Sequence, residues 1–177
     1  AVVGGPTEDL GVAGGARVWV RGLGGVYRPG FPWTAPPAAG QACGRVALGD
    51  VDDDGHMELV APFTGGVAIL GHDGTLEGII GQGEAEPGNP SLADFDDDGD
   101  LEIAIPRADG TVHLVHHDVT AVGGGQWPYD TGSVGMPSQV ALANIVGDQR
   151  RDLVFMDSAR LVHIVPPSGN VPAGWPR

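Results

Sequence analysis

A chain of 177 residues with 41% hydrophobic content can bury a core, yet no uncharged stretch is both apolar enough and about 20 residues long, which excludes a helical membrane span. The net charge of −14, with all nine basic residues Arg, excludes an electrostatic nucleic-acid binder. Cys43 is alone, so there is no internal disulfide and no Cys-based zinc site, and no basic segment followed by an apolar run opens the chain as a signal peptide would.

In chain order, the first apolar runs are residues 9–13 and 18–20, separated by a Gly-Gly turn and followed by Pro32-Trp33. Residues 50–58 read Asp-Val-Asp-Asp-Asp-Gly-His-Met-Glu, then apolar runs follow at 59–62 and 67–70. Residues 94–102 repeat the pattern as Asp-Phe-Asp-Asp-Asp-Gly-Asp-Leu-Glu, with runs at 103–106 and 112–115 and a Trp127-Pro128 tail. A weaker copy spans 144–152, with runs at 153–156 and 162–165 and a Trp175-Pro176 tail. Counting back from Asp9 places Ala1, Val3 and Gly5 in a degenerate first loop. Four units result, at about 1–40, 41–86, 87–133 and 134–177, in one repeat domain over 1–177.

Short runs rich in Val, Ile and Leu, bounded by Gly, Pro, Asp and Asn, read as strands. No window carries helical periodicity. Units of about 40–50 residues with three or four strands predict an all-β chain of the β-propeller class. A β-sandwich also spaces its strands this way, but it gives no reason for an acidic nonapeptide to return once per unit. Three strands lead into a loop, ending at Gly49, Ala93 and Ala143, against four hairpins. That mismatch predicts an arc of a larger ring, completed by missing blades or by self-association with a second copy.

Eleven of the 23 acidic residues fall in the two nonapeptides, and such crowding repels itself unless a cation is present. Asp at positions 1, 3 and 5 puts three carboxylates on one side of a tight loop. Gly55 and Gly99 at position 6 permit the closing bend. Hard oxygen donors in that number suit Ca²⁺. An EF-hand is excluded, because position 12 is Ala61 or Ile105 instead of Glu. Two Ca²⁺ sites are predicted. The first uses Asp50, Asp52, Asp54 and Glu58 with the His56 carbonyl. The second uses Asp94, Asp96, Asp98 and Glu102 with the Asp100 carbonyl. Asp53 and Asp97 are expected to face solvent. The alternative is a pair of solvated acidic turns. No metal is expected at the first or fourth loop. In the fourth, Arg150 or Arg151 either replaces the cation by pairing with Asp148 or Asp152 or forms a plain surface ion pair.

These residues resemble the integrin-like FG-GAP/VCBS repeat propellers. Cys43-Gly44 stands at the family's Phe-Gly, residues 50–58 at its loop, 60–62 at its Gly-Ala-Pro, and Gly66 before its second strand. The resemblance covers essentially the whole chain and implies structural Ca²⁺ and an extracellular or cell-surface setting. The missing Phe and Gly and the degenerate end loops depart from it.

His113 and His163 share a strand position with Trp19 and Ala68 and read as packing residues. His116 and His117, as strand neighbours, point apart and are not expected to share a ligand. The Trp-Pro tails read as packing between units, with a sugar-stacking surface as the alternative. Cys43 reads as a small buried hydrophobe. No nucleophile elbow, His-Glu-x-x-His, phosphate loop or dinucleotide fingerprint is present. The expected function is therefore non-catalytic: a Ca²⁺-stabilised extracellular module that binds a protein or glycan. A polysaccharide lyase or hydrolase on the same scaffold is one alternative, and a self-assembling structural subunit is the other.

Overall fold

The computed structural model describes residues 17–22, 24–36, 40–41, 43–122, 127–148 and 150–177. The run at 9–13 and the degenerate loop of Ala1, Val3 and Gly5 lie outside them. Thirteen strands and no helix occur among the described residues: β1 (Arg17–Val18), β2 (Trp33–Thr34), β3 (Ala47–Gly49), β4 (Glu58–Phe63), β5 (Gly66–Leu70), β6 (Leu76–Ile80), β7 (Ser91–Ala93), β8 (Glu102–Pro106), β9 (Thr111–Val115), β10 (Tyr129–Asp130), β11 (Ala141–Ala143), β12 (Asp152–Met156) and β13 (Val162–Val165). They form four antiparallel sheets of neighbouring strands: β1-β2, β3 to β6, β7 to β10, and β11 to β13. None of the four closes on itself.

Alternation along each strand explains how the sheets meet. Successive side chains point to opposite faces, and here both faces are covered, so β4 and β5 are buried throughout. Leu59, Ala61, Phe63, Ala68 and Leu70 pack with Val18 and Phe31 of the preceding unit. Val60, Val67, Ile69 and Ile80 pack instead with Ile103, Ile105 and Val115 of the next sheet. The other face of that next sheet, with Ala104, Val112 and Leu114, meets Leu153, Phe155 and Val165. Strands buried on both faces lose the apolar-polar alternation and read as short continuous apolar runs.

The register repeats between sheets. Ala68 lies opposite Ala61, His113 opposite Ile105, and His163 opposite Phe155. Trp33 pairs with Val18, Ile80 with Val67 and Tyr129 with Val112. Arg177 continues the pattern by exchanging two backbone hydrogen bonds with Val162, of 2.6 and 3.1 Å. This alignment corrects the first tail. The aromatic-Pro pair equivalent to Trp127-Pro128 and Trp175-Pro176 is Phe31-Pro32, and all three bonds are cis. Trp127 is buried in a core, as the packing interpretation expects, and so is Phe31, whereas Trp33 and Trp175 are only partly buried.

Candidate metal centre

The first strand of each larger sheet delivers a loop, acidic in the first two cases and degenerate in the third. β3 runs into residues 50–57, β7 into 94–101 and β11 into 144–151. β7 touches both β3 and β11, so the three loops leave from adjacent strands. An ion pair of 3.6 Å between Arg150 Nε and Asp97 Oδ2 links the second loop to the third.

Inside each loop the acid at position 9 is buried and closes the turn from below. Glu58 Oε2 accepts a hydrogen bond from Val51 N at 2.9 Å, and Glu102 Oε2 accepts one from Phe95 N at 2.6 Å. Asp152, one carbon shorter, accepts from Ile145 N and Val146 N through a single oxygen. Val51 and Phe95 themselves are fully buried in the cores between sheets. The apolar position 2 therefore anchors the loop, and the acid at position 9 is held under the carboxylates at positions 1, 3 and 5.

In the first loop, carboxylate oxygens of Asp50, Asp52 and Glu58 lie within 4.8 Å of one another. Asp54 is outside that group, its Oδ1 accepting from His56 N at 2.8 Å. The two oxygens of Asp50 accept from Asp54 N and Gly55 N, at 3.1 and 3.0 Å. In the second loop, Asp94, Asp96 and Asp98 form one such group, and Asp96, Glu102 and His116 form another. Asp100 N donates to Asp98 Oδ1 at 3.0 Å, while its carboxylate meets His117 Nε2 at 3.3 Å. Gly55 and Gly99 have φ of 87° and 106°, as the sequence predicts, and Asp53 and Asp97 are also left-handed, at 54° and 64°. Asp tolerates that region better than most residues.

Of the two outcomes expected for Arg150, the structure shows the plain surface ion pair. The Arg150 side chain reaches neither Asp148 nor Asp152; Asp152 Oδ2 accepts from two backbone amides, while its buried Oδ1 has no hydrogen-bond partner. Arg150 reaches Asp97 instead, as an exposed surface pair. Asp97 is exposed as expected, but it faces that guanidinium as well as solvent.

Without a cation these loops disfavour their own charges. Burial pushes the Glu58 carboxyl up, the Val51 hydrogen bond opposes this, and Asp52, Glu77 and Asp54 push it further up. Burial likewise raises Glu102, against the Phe95 hydrogen bond and with Asp96 and Asp98 adding to it. Burial and then Asp98 raise Asp96. Converging carboxylate oxygens with a desolvated member are a donor set that a hard divalent cation fits.

Loop spacing alone misses His116 and Glu77. Val115 pairs with Ile103, so His116, the residue just past β9, lies across from Glu102. Its counterpart across from Glu58 is Gly71, which leaves space in which the Glu77 carboxylate sits near Asp52 and Asp54. The signal was pairing register, which needs the hairpin length to be known. His116 and His117 take different partners, although both lie past the end of β9 and not on a strand as the sequence suggests.

His163 is fully buried, stacked on Phe155, with Nδ1 at 3.0 Å from the Tyr129 hydroxyl and Nε2 at 3.1 Å from Asp157 Oδ2. Ser133 Oγ donates to the same Asp157 oxygen, so this serine contacts the acid and is not set up as a nucleophile on the imidazole. His113 is partly buried beside Glu84, at 3.7 Å. Cys43 is half-buried, its thiol donating to the Pro87 carbonyl, and burial pushes its pKa up to about 11. Such a thiol stays protonated at neutral pH. No protein-family model matches the chain, and no curated protein matches it.

Proposed function

We propose that the chain is a calcium-stabilised arc of a β-propeller, displayed outside the cell, that binds a protein or glycan without catalysis. The observation that carries this is the repeated arrangement of sheet, first strand and loop. Successive sheets cover each other's faces, and β3, β7 and β11 lie side by side. Their two intact loops each gather carboxylates over a buried Glu. Each Ca²⁺ then ties a first strand to a second strand at the same end of the sheet, which is a structural task.

A binding surface is available between the first two sheets. An open cleft of about 460 Å³ is lined by Val20, Arg21, Arg28, Leu48, Met57, Leu59 and His72. It offers two guanidinium groups and apolar side chains but no carboxylate, which favours capture of an anionic or apolar partner over carboxylate-based glycoside cleavage. The test has two arms. Calorimetry should show a higher melting temperature in millimolar Ca²⁺ than in chelator, with about 2.7 kcal/mol per site at 100 times the dissociation constant. Equal melting temperatures would refute the metal reading. A glycan array and pull-down in Ca²⁺, repeated with R21A/R28A, should give binding that the double variant weakens. Turnover of a polysaccharide would instead support the enzyme alternative.

A further inference from the structure

We infer that the second acidic loop is a mixed nitrogen-oxygen site in which His116 joins Asp96 and Glu102 to bind a borderline transition-metal cation of the Zn²⁺ class, whereas the first loop stays an all-oxygen site. The inference rests on reading the loops as cation sites and adds a ligand from outside the nonapeptide.

Three observations converge. Ligand atoms of Asp96, Glu102 and His116 lie within 4.8 Å of one another. The Glu102 side chain is completely buried, and its Oε1 takes no hydrogen bond. His116 Nδ1 is 3.2 Å from that oxygen, yet it does not aim a hydrogen bond at it. The two atoms face each other at ion-pair distance, and a cation seated between them would replace that contact and give the buried oxygen a partner. Zinc bonds of about 2.0–2.1 Å at tetrahedral angles set neighbouring ligand atoms about 3.3–3.4 Å apart, close to this spacing. Imidazole suits Zn²⁺ and its neighbours, and carboxylates alone suit Ca²⁺.

The first and third of the three loops provide the internal comparison. The residues equivalent to His116, across from Glu58 and Asp152, are Gly71 and Pro166. Neither offers a side-chain donor, so among these three loops only the second has an imidazole at this place.

The test uses the full chain stripped with chelator and titrated separately with CoCl₂, followed by its visible absorption, and with CaCl₂, followed by calorimetry. Wild type should bind Co²⁺, and a wild type that does not overturns the inference. H116A should bind it at least tenfold more weakly while changing Ca²⁺ affinity less than about threefold. D52N, in the first loop, should leave Co²⁺ affinity unchanged. His56 and His72 stack at 4.1 Å and are a competing place for Co²⁺, so H72A is the control. Co²⁺ binding that survives H116A, or that is lost in H72A instead, overturns the inference. A parallel loss of Co²⁺ and Ca²⁺ in H116A also overturns it, because it marks a structural role. Co²⁺ binding that depends on His116 in a chain giving no Ca²⁺ heat refutes the calcium reading and leaves this one standing.

Discussion

At the scale of single residues, Asp157 shows how a buried charge is kept. Burial raises its pKa, but hydrogen bonds from Leu161 N, His163 and Ser133 outweigh that and hold the carboxyl below its usual range. A depressed carboxylate pKa adds stability that is fully present above the unfolded value of about 3.9 and is lost as pH falls through the folded value. D157N should therefore be less stable than wild type at pH 7. The gap should narrow only as pH drops below about 4. Urea unfolding of both proteins between pH 3 and 7 checks this, and a gap that is constant with pH would contradict it. Cys43 behaves in the opposite sense: burial raises its pKa and keeps the thiol protonated, although the side chain is half-buried and not the fully buried hydrophobe that the sequence suggests.

At the scale of elements, turns that look alike differ in what surrounds them. Gly55 has positive φ, and a Cβ there would meet nothing within 4 Å. G55A should cost only the left-handed backbone penalty, about 1–2 kcal/mol. Gly110, in the β8–β9 turn, also has positive φ, but a Cβ there would overlap the Ser133 carbonyl oxygen. G110A should therefore cost clearly more than G55A, about 3 kcal/mol or above. Chemical denaturation in chelator compares the two, and an equal or reversed order would refute the argument. The strands were legible in the sequence because runs such as 59–62 and 103–106 are bounded by turn residues and buried on both faces. The carboxylates that the structure groups, at positions 1, 3 and 9 of the first loop and 1, 3 and 5 of the second, were legible because they are nearly contiguous. His116 was not, because it reaches Glu102 across a strand pair, and the partner of Arg150 was not, because Asp97 belongs to another sheet's loop. Contacts between elements depend on register and sheet order, which local spacing does not encode.

At the scale of the whole molecule, the charge distribution decides how stability responds to salt. The net charge is −14, and 11 of the 23 acidic residues lie in two nonapeptides carried by adjacent first strands. Without a cation this edge repels itself, and the exposed pair of Arg150 with Asp97 ties only the second loop to the third, worth about 1 kcal/mol or less. Salt shortens the Debye length from about 30 Å at 0.01 M to about 3 Å at 1 M, so screening should relieve the repulsion. The melting temperature of the chelator-treated chain should rise between about 10 mM and 0.5 M NaCl. Sodium chloride acts on other parts of the protein as well, so the informative quantity is the change in slope on adding Ca²⁺. Bound Ca²⁺ neutralises the same carboxylates directly, and the slope should flatten. Matching slopes with and without Ca²⁺, or a melting temperature that falls with salt in chelator, would show that loop repulsion does not limit the stability of the metal-free fold.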